Sequence, residues 1–205
     1  MKKTISSLAM SLVLGFYAFS ASATSATLTT SVTAGATTLE ALATTETFAG
    51  NSLPSGYTGG GVFNTTTGEY ARPVGSTSFY YSVGISGGQT GPGVVTFAAP
   101  VSYFGFLWGS PDTYNTVTFF SGTQQIGSYT GFEVLPPANG DQSVSGYFNV
   151  FTNGGPYITS VQFTSTSNAF ETDNHSFITA VPEPETYAMM LAGLGLMGFI
   201  ARRRS

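Results

Sequence analysis

Two apolar runs bracket this chain, and between them the hydrophobic positions come in short alternating bursts. Ile5 to Phe19 is mostly apolar, and Tyr187 to Ala201 carries no charge. In the stretch between, Val94 to Phe97 alternates weakly, and Val101 to Trp108 is aromatic and β-branched. Thr116 to Phe120 and Gln125 to Tyr129 flank Ser121-Gly122-Thr123, which reads as a hairpin. Tyr147 to Phe151, Tyr157 to Ser165 and Phe177 to Val181 follow. Runs spaced ~8–12 residues apart, split by Gly, Pro, Asn and Asp and free of a helical period, predict an all-β fold: an antiparallel β-sandwich or jelly roll. Asn51 to Gly61 holds Pro54, Gly56 and Gly59-Gly60-Gly61 and reads as a loop. Thr37 to Thr45 could pass for a helix, but so many threonines favour extended backbone.

The apolar ends read as export devices. Lys2 and Lys3 precede the first run, and Ala21-Ser22-Ala23 offers the small-x-small site a signal peptidase needs, with the cut after Ala23. As a helix, Tyr187 to Ala201 spans roughly 22 Å, short of the ~30 Å hydrocarbon core. Thr186 and snorkelling arginines stretch it to a marginal span. Arg202, Arg203 and Arg204 act as a membrane stop and favour a cytoplasmic C-terminus. Before the run, Val181-Pro182-Glu183-Pro184 is held extended by its prolines, which suits a processing enzyme's cleft.

This order of V-P-E-P, a glycine-bearing apolar helix (Gly193, Gly195, Gly198) and an arginine cluster resembles the PEP-CTERM sorting signal of Gram-negative bacteria. The resemblance implies an exported protein, anchored in the inner membrane as a precursor and processed by an exosortase to a cell-surface or extracellular form. It also implies an association with exopolysaccharide and biofilm. The expected organisation is a signal peptide at 1–23, a Thr/Ser-rich segment at 24–50, a β-sandwich domain at 51–180 and the sorting signal at 181–205. The middle region is similar to exosortase-dependent surface proteins in Ser52 to Phe63, Val101 to Asn115, Asn139 to Gln142 and Phe170 to Asn174. That likeness implies a β-sandwich with no assigned catalytic residue.

Charge narrows the partners. Between the two signals the acids are Glu40, Glu46, Glu69, Asp112, Glu133, Asp141, Glu171 and Asp173, set against Arg72 alone, a net charge of −7. Nucleic acid is excluded, because counterion release needs a basic patch. The chain has no cysteine, which removes disulfides, thiol catalysis and thiolate metal sites.

Two clusters are candidates for chemistry. If the first and last strands are neighbours, Glu46 approaches Glu171, Asp173 and Asn174, an oxygen set suited to Ca²⁺. The plain alternative is an Asx-turn at a strand entrance with solvated carboxylates. Trp108, Asp112, Tyr114 and Asn115 would make a glycan platform if the indole is exposed; the alternative places Trp108 in the core. His175, the single histidine, lacks a G-x-S-x-G partner motif and a second His for zinc, and reads as a surface residue. Asp112 and Glu133 form only the sort of acid pair any acidic protein offers for glycoside cleavage. The expectation is a non-catalytic surface or matrix domain. A secreted carbohydrate-binding module is the alternative, and a glycoside-active enzyme ranks below both. A buried Trp108 favours the first, an exposed one the second.

Overall fold

One long strand organises the molecule. The computed structural model describes residues 28–181 and 184–203. Its strands are β1 (Thr29–Thr33), β2 (Thr44–Glu46), β3 (Tyr57–Thr58), β4 (Gly61–Phe63), β5 (Tyr80–Val83), β6 (Gly93–Gly109), β7 (Asn115–Ser121), β8 (Gln124–Thr130), β9 (Ser145–Phe151), β10 (Ile158–Ser165) and β11 (Phe170–Thr179). A single-turn helix α1 (Gly131–Val134) follows β8, and α2 (Pro184–Arg203) ends the chain. All pairings between these strands are antiparallel.

The first half of β6 pairs with β10 and β3 through Gly93–Thr96, and β10 continues to β7 and β8. The second half, from Val101, pairs with β11 on one edge and β9 on the other. β5 and β2 both lie along the far edge of β11, with β4 outside β5 and β1 outside β9. Between the halves, Ala98, Ala99 and Pro100 are exposed. β6 thus crosses from one layer to the other at this stretch, where Pro100 cannot donate to a ladder. The sequence reading broke here, treating Val94–Phe97 and Val101–Trp108 as two strands; they are one bent strand.

The core lies between the layers. Phe104, Phe106 and Trp108 alternate inward from β6 and meet Phe163 of β10, Phe119 of β7, Phe148 of β9 and Phe170 of β11. All are buried, each such ring contributing ~1.5–3 kcal/mol on leaving water. The period of two explains the selection, since alternate residues share a face. The opposite face of β6 is covered in part by the segment after β1: Thr38 Oγ1 is 2.7 Å from the Tyr103 hydroxyl, and Asn174 Nδ2 donates to the Ala36 carbonyl at 2.7 Å.

The hairpin forms as read, with Ser121 opposite Gln124 across Gly122-Thr123 and Gly122 at φ 59°. α1 was unforeseen, although Thr130-x-x-Glu133 is a capping-box spacing. The Glu133 carboxylate accepts from the Thr130 N–H at 2.7 Å, and Thr130 Oγ1 accepts from the Glu133 N–H. The loop read over Asn51–Gly61 contains the two residues of β3, and β4 and β5 were not expected. β11 begins at Phe170, well before the expected Phe177. α2 forms over the expected apolar run, but no helix among the described residues is long and apolar enough to cross a membrane. The signal peptide falls outside the described residues.

Candidate functional site

A polar cleft of about 260 Å³ opens where four loops meet. They are the turn at Thr67–Tyr70, the Ser110–Tyr114 segment leaving β6, the Asn139–Gln142 loop, and Asn168–Glu171 entering β11. Hydrogen bonds of backbone and side chains fix the walls. The Asp112 N–H donates to Asn115 Oδ1 at 3.0 Å and the Asn115 N–H to the Asp112 carbonyl at 3.1 Å, a tight turn that sets the Asp112 side chain toward the cleft. The Gly140 N–H donates to the Pro111 carbonyl at 3.0 Å, and Asp112 bridges to Asn139. Gly140 sits at φ 72°, and a Cβ there would lie 2.8 Å from Asp112 Oδ1, so only glycine lets the loop come this close. The Tyr114 hydroxyl donates to the Asn168 carbonyl at 2.8 Å and ties the second wall to the fourth.

Glu171 forms the floor. It faces away from the core on β11, opposite Ser82 of β5 and Gly109 of β6. Its Oε1 accepts from the Ala71 N–H at 2.8 Å and its Oε2 from the Ser110 hydroxyl at 2.9 Å. Burial pushes its carboxyl up to about 7; the Ala71 and Ser110 donors offset part of this, and the neighbouring Asp112 carboxylate adds to it. Burial also raises the Asp112 carboxyl, with the Tyr114 hydroxyl opposing. The Tyr114 hydroxyl is raised by burial and by the Asp112 carboxylate.

The expected glycan quartet divides. Asp112 and Tyr114 line the cleft. Trp108 is 0% exposed, stacked on Phe170 with ring centroids 4.4 Å apart, and offers no ring to a sugar. Asn115 is also fully buried, and its Nδ2 donates to Ser165 Oγ and the Ala169 carbonyl, both at 3.0 Å. Both are structural because their β-positions face inward.

The expected calcium set does not assemble: among the described residues no three acids or histidines converge to hold a metal. β2 does neighbour β11, but Glu46 stands opposite His175 and its Oε1 accepts from the Phe48 N–H at 2.6 Å. Glu171 belongs to the cleft. Asp173 accepts from the Asn174 N–H at 2.7 Å; burial pushes it up to about 6, with the Arg72 charge opposing and the Glu46 charge adding. The segment is the first half of β11, so these acids are buried and individually bonded instead of solvated.

His175 is likewise no surface residue. The register slips between Asp173 and Ser176, with Asn174 at φ 49°, and this bulge turns His175 inward where simple alternation would turn it out. Its ring is caged by Phe48, Phe163 and Phe104, with centroids at 5.0, 5.3 and 5.5 Å. Nδ1 is 3.0 Å from the Tyr57 hydroxyl and Nε2 2.8 Å from Thr172 Oγ1. Burial holds its pKa down at about 3, so it is neutral.

Sequence reasoning missed Glu69, Ser110 and Gln142 as cleft residues. The signal available was the pair of segments Asn139–Gln142 and Phe170–Asn174, which converge here.

At the other end of the domain, β11 stops at Thr179 and the exposed Val181 leads on toward α2. Residues 180–204 match the family model of the PEP-CTERM protein-sorting motif. The chain carries a PEP-CTERM sorting motif. Such a motif implies an exported protein that is membrane-anchored before an exosortase processes it. Pro182, Glu183 and Arg204 of the PEP-CTERM segment lie outside the described residues; Arg202 and Arg203 form the last turn of α2. No curated protein matches the chain. Among solved structures it is similar to the K2 cleaved adhesin domain of Lys-gingipain (Kgp), at 16% identity and a TM-score of 0.45, over 67% of this chain and 99% of that one. A likeness at that level carries no argument.

Proposed function

We propose that the protein is a surface or matrix component whose β-sandwich, from about Thr24 to Ala180, outlives the sorting segment and belongs to an extracellular polysaccharide or biofilm matrix. One observation carries this reading: every described α2 side chain from Met189 to Arg203 is exposed, while the β-domain buries its own aromatic core. Among the described side chains, those of Met189 to Arg203 contribute nothing to the buried core of the sandwich. An apolar helix ending in arginines suits a transient tether, with those arginines on the cytoplasmic side. The signal peptide, the inner-membrane precursor and the domain limits belong to the same reading.

The domain is read as non-catalytic. The buried Trp108 supports a structural over a ligand-stacking role for the indole, and Glu171 is engaged by Ala71 and Ser110. The test is the C-terminal mass of the mature protein in its cell fraction. No peptide beyond about Thr186 is expected from the surface or medium form. A mature chain retaining Arg202 to Arg204 defeats the proposal.

A second reading, glycan binding, is favoured by the cleft itself. Asp112, Tyr114, Asn139 and Gln142 gather polar groups of the kind that recognise hydroxyls, and Asn139 and Gln142 are exposed there.

A further inference from the structure

The cleft has a chemical bias that hydroxyl recognition alone does not require. Three of its lining residues are acids, Glu69, Asp112 and Glu171, and none is a lysine, arginine or histidine. The domain's single cation, Arg72, is spent elsewhere: its guanidinium donates to the Asn64 carbonyl, and its charge acts on Asp173 and Tyr80. Glu171 is held by Ala71 and Ser110, and Glu69 Oε1 accepts from the Ser86 hydroxyl at 3.2 Å, but no cation lines the cleft to balance these acids, so an anionic ligand is disfavoured. A calcium ion is not served either, since it takes six to eight oxygens and no three acids converge among the described residues. An ammonium group asks less. It carries three donors, has no fixed coordination shell, and is satisfied by two or three acceptors at hydrogen-bond distance.

The remaining lining supplies hydroxyl recognition. The Asn139 and Gln142 amides offer donors and acceptors at the rim, and Tyr114 stands beside Asp112. At about 260 Å³ the cleft lies just under the ~300 Å³ where small-ligand sites begin, room for a single ring with its neighbours outside. We infer that the cleft is a subsite for an amino sugar with a free ammonium group, Asp112 and Glu69 pairing with the charge while Asn139 and Gln142 bind ring hydroxyls. This rests on the glycan-binding reading of the cleft and adds the class of sugar.

The experiment is calorimetric titration of the full chain, held in a polyoxyethylene detergent that brings no sugar headgroup. Three probes are compared: short oligomers of glucosamine, the same oligomers N-acetylated, and oligogalacturonate. The glucosamine oligomer should bind at least about tenfold more tightly than its acetylated form, and the uronate should not bind. Asp112→Asn and Glu69→Gln should each erase most of that preference. Glu40→Gln, outside the cleft, should leave it intact and so separate site binding from attraction to an acidic surface. Equal binding of the free and acetylated oligomers overturns the ammonium selectivity and leaves the glycan reading standing. Failure of all three probes overturns both. A loss with Glu40→Gln equal to that with Asp112→Asn, or preferred binding of the uronate, also overturns the inference.

Discussion

Glu171→Gln should make the protein more stable at neutral pH and leave it unchanged in acid. The Glu171 carboxyl is 4% exposed, and burial lifts it from an ordinary 4.5 to about 7. The folded state therefore holds its proton more tightly than the unfolded chain. The resulting stability is fully present below pH 4.5 and is lost as pH rises through 7. At ~1.4 kcal/mol per pH unit, the rise is worth about 3 kcal/mol by pH 8. Glutamine copies the protonated acid: its carbonyl can accept from the Ala71 N–H, and its amide can donate to the Ser110 oxygen, whose hydroxyl is free to rotate. The raw stability curve will blur this. Asp173, raised to about 6, adds a loss over pH 4–6, while His175, lowered to about 3, adds a gain from pH 3 to 6.5. The difference between variant and wild type isolates the one group. Urea unfolding followed by circular dichroism at pH 4, 6 and 8 measures it, from the midpoint at constant slope. The expected difference grows from near zero to about 3 kcal/mol in favour of the variant. A difference that stays constant across the range, or that favours wild type at pH 8, refutes the argument that burial governs this carboxyl.

Trp108→Ala should cost about 3–5 kcal/mol, because the indole fills the core against Phe170, Phe106 and Phe148; a loss under about 1 kcal/mol in denaturant unfolding would contradict its placement. His175→Gln should be less stable at pH 7 through its bonds to Tyr57 and Thr172, yet flatter between pH 6.5 and 3, where wild type loses up to about 5 kcal/mol by charging in the unfolded state; parallel acid titrations of the two would refute a buried neutral imidazole. Thr130→Ala should cost about 1 kcal/mol by opening the capping box of α1, and an unchanged thermal midpoint would speak against it. Replacing Pro182 and Pro184 together with alanine should leave the uncut precursor in the inner-membrane fraction, and normal release would show that the extended motif is not what the protease reads.

Much of the fold is written locally. The β7–β8 hairpin, the core strands carrying Phe104, Phe148 and Phe163, and the sorting motif all follow from residues a few positions apart: a period of two, a two-residue turn, a proline pair before an apolar run. These are short-range facts of backbone geometry, and the sequence by itself determined them. The tertiary structure decided the rest. Thr130-x-x-Glu133 was legible and went unread. β11 was not legible. Phe170-Glu171-Thr172-Asp173-Asn174-His175 looks like a solvated strand entrance, because nothing nearby in the chain reveals that Ala71, 100 residues away, and Ser110, 61 away, will bind Glu171. Nor does the sequence reveal the bulge at Asn174 that carries His175 into the aromatic cage. The cleft has the same origin. Its walls come from four loops that only the antiparallel pairings bring together, so Asp112 and Glu69 line one cleft without any spacing in sequence to announce them. Burial of a polar group depends on distant partners, and local pattern carries no information about those partners.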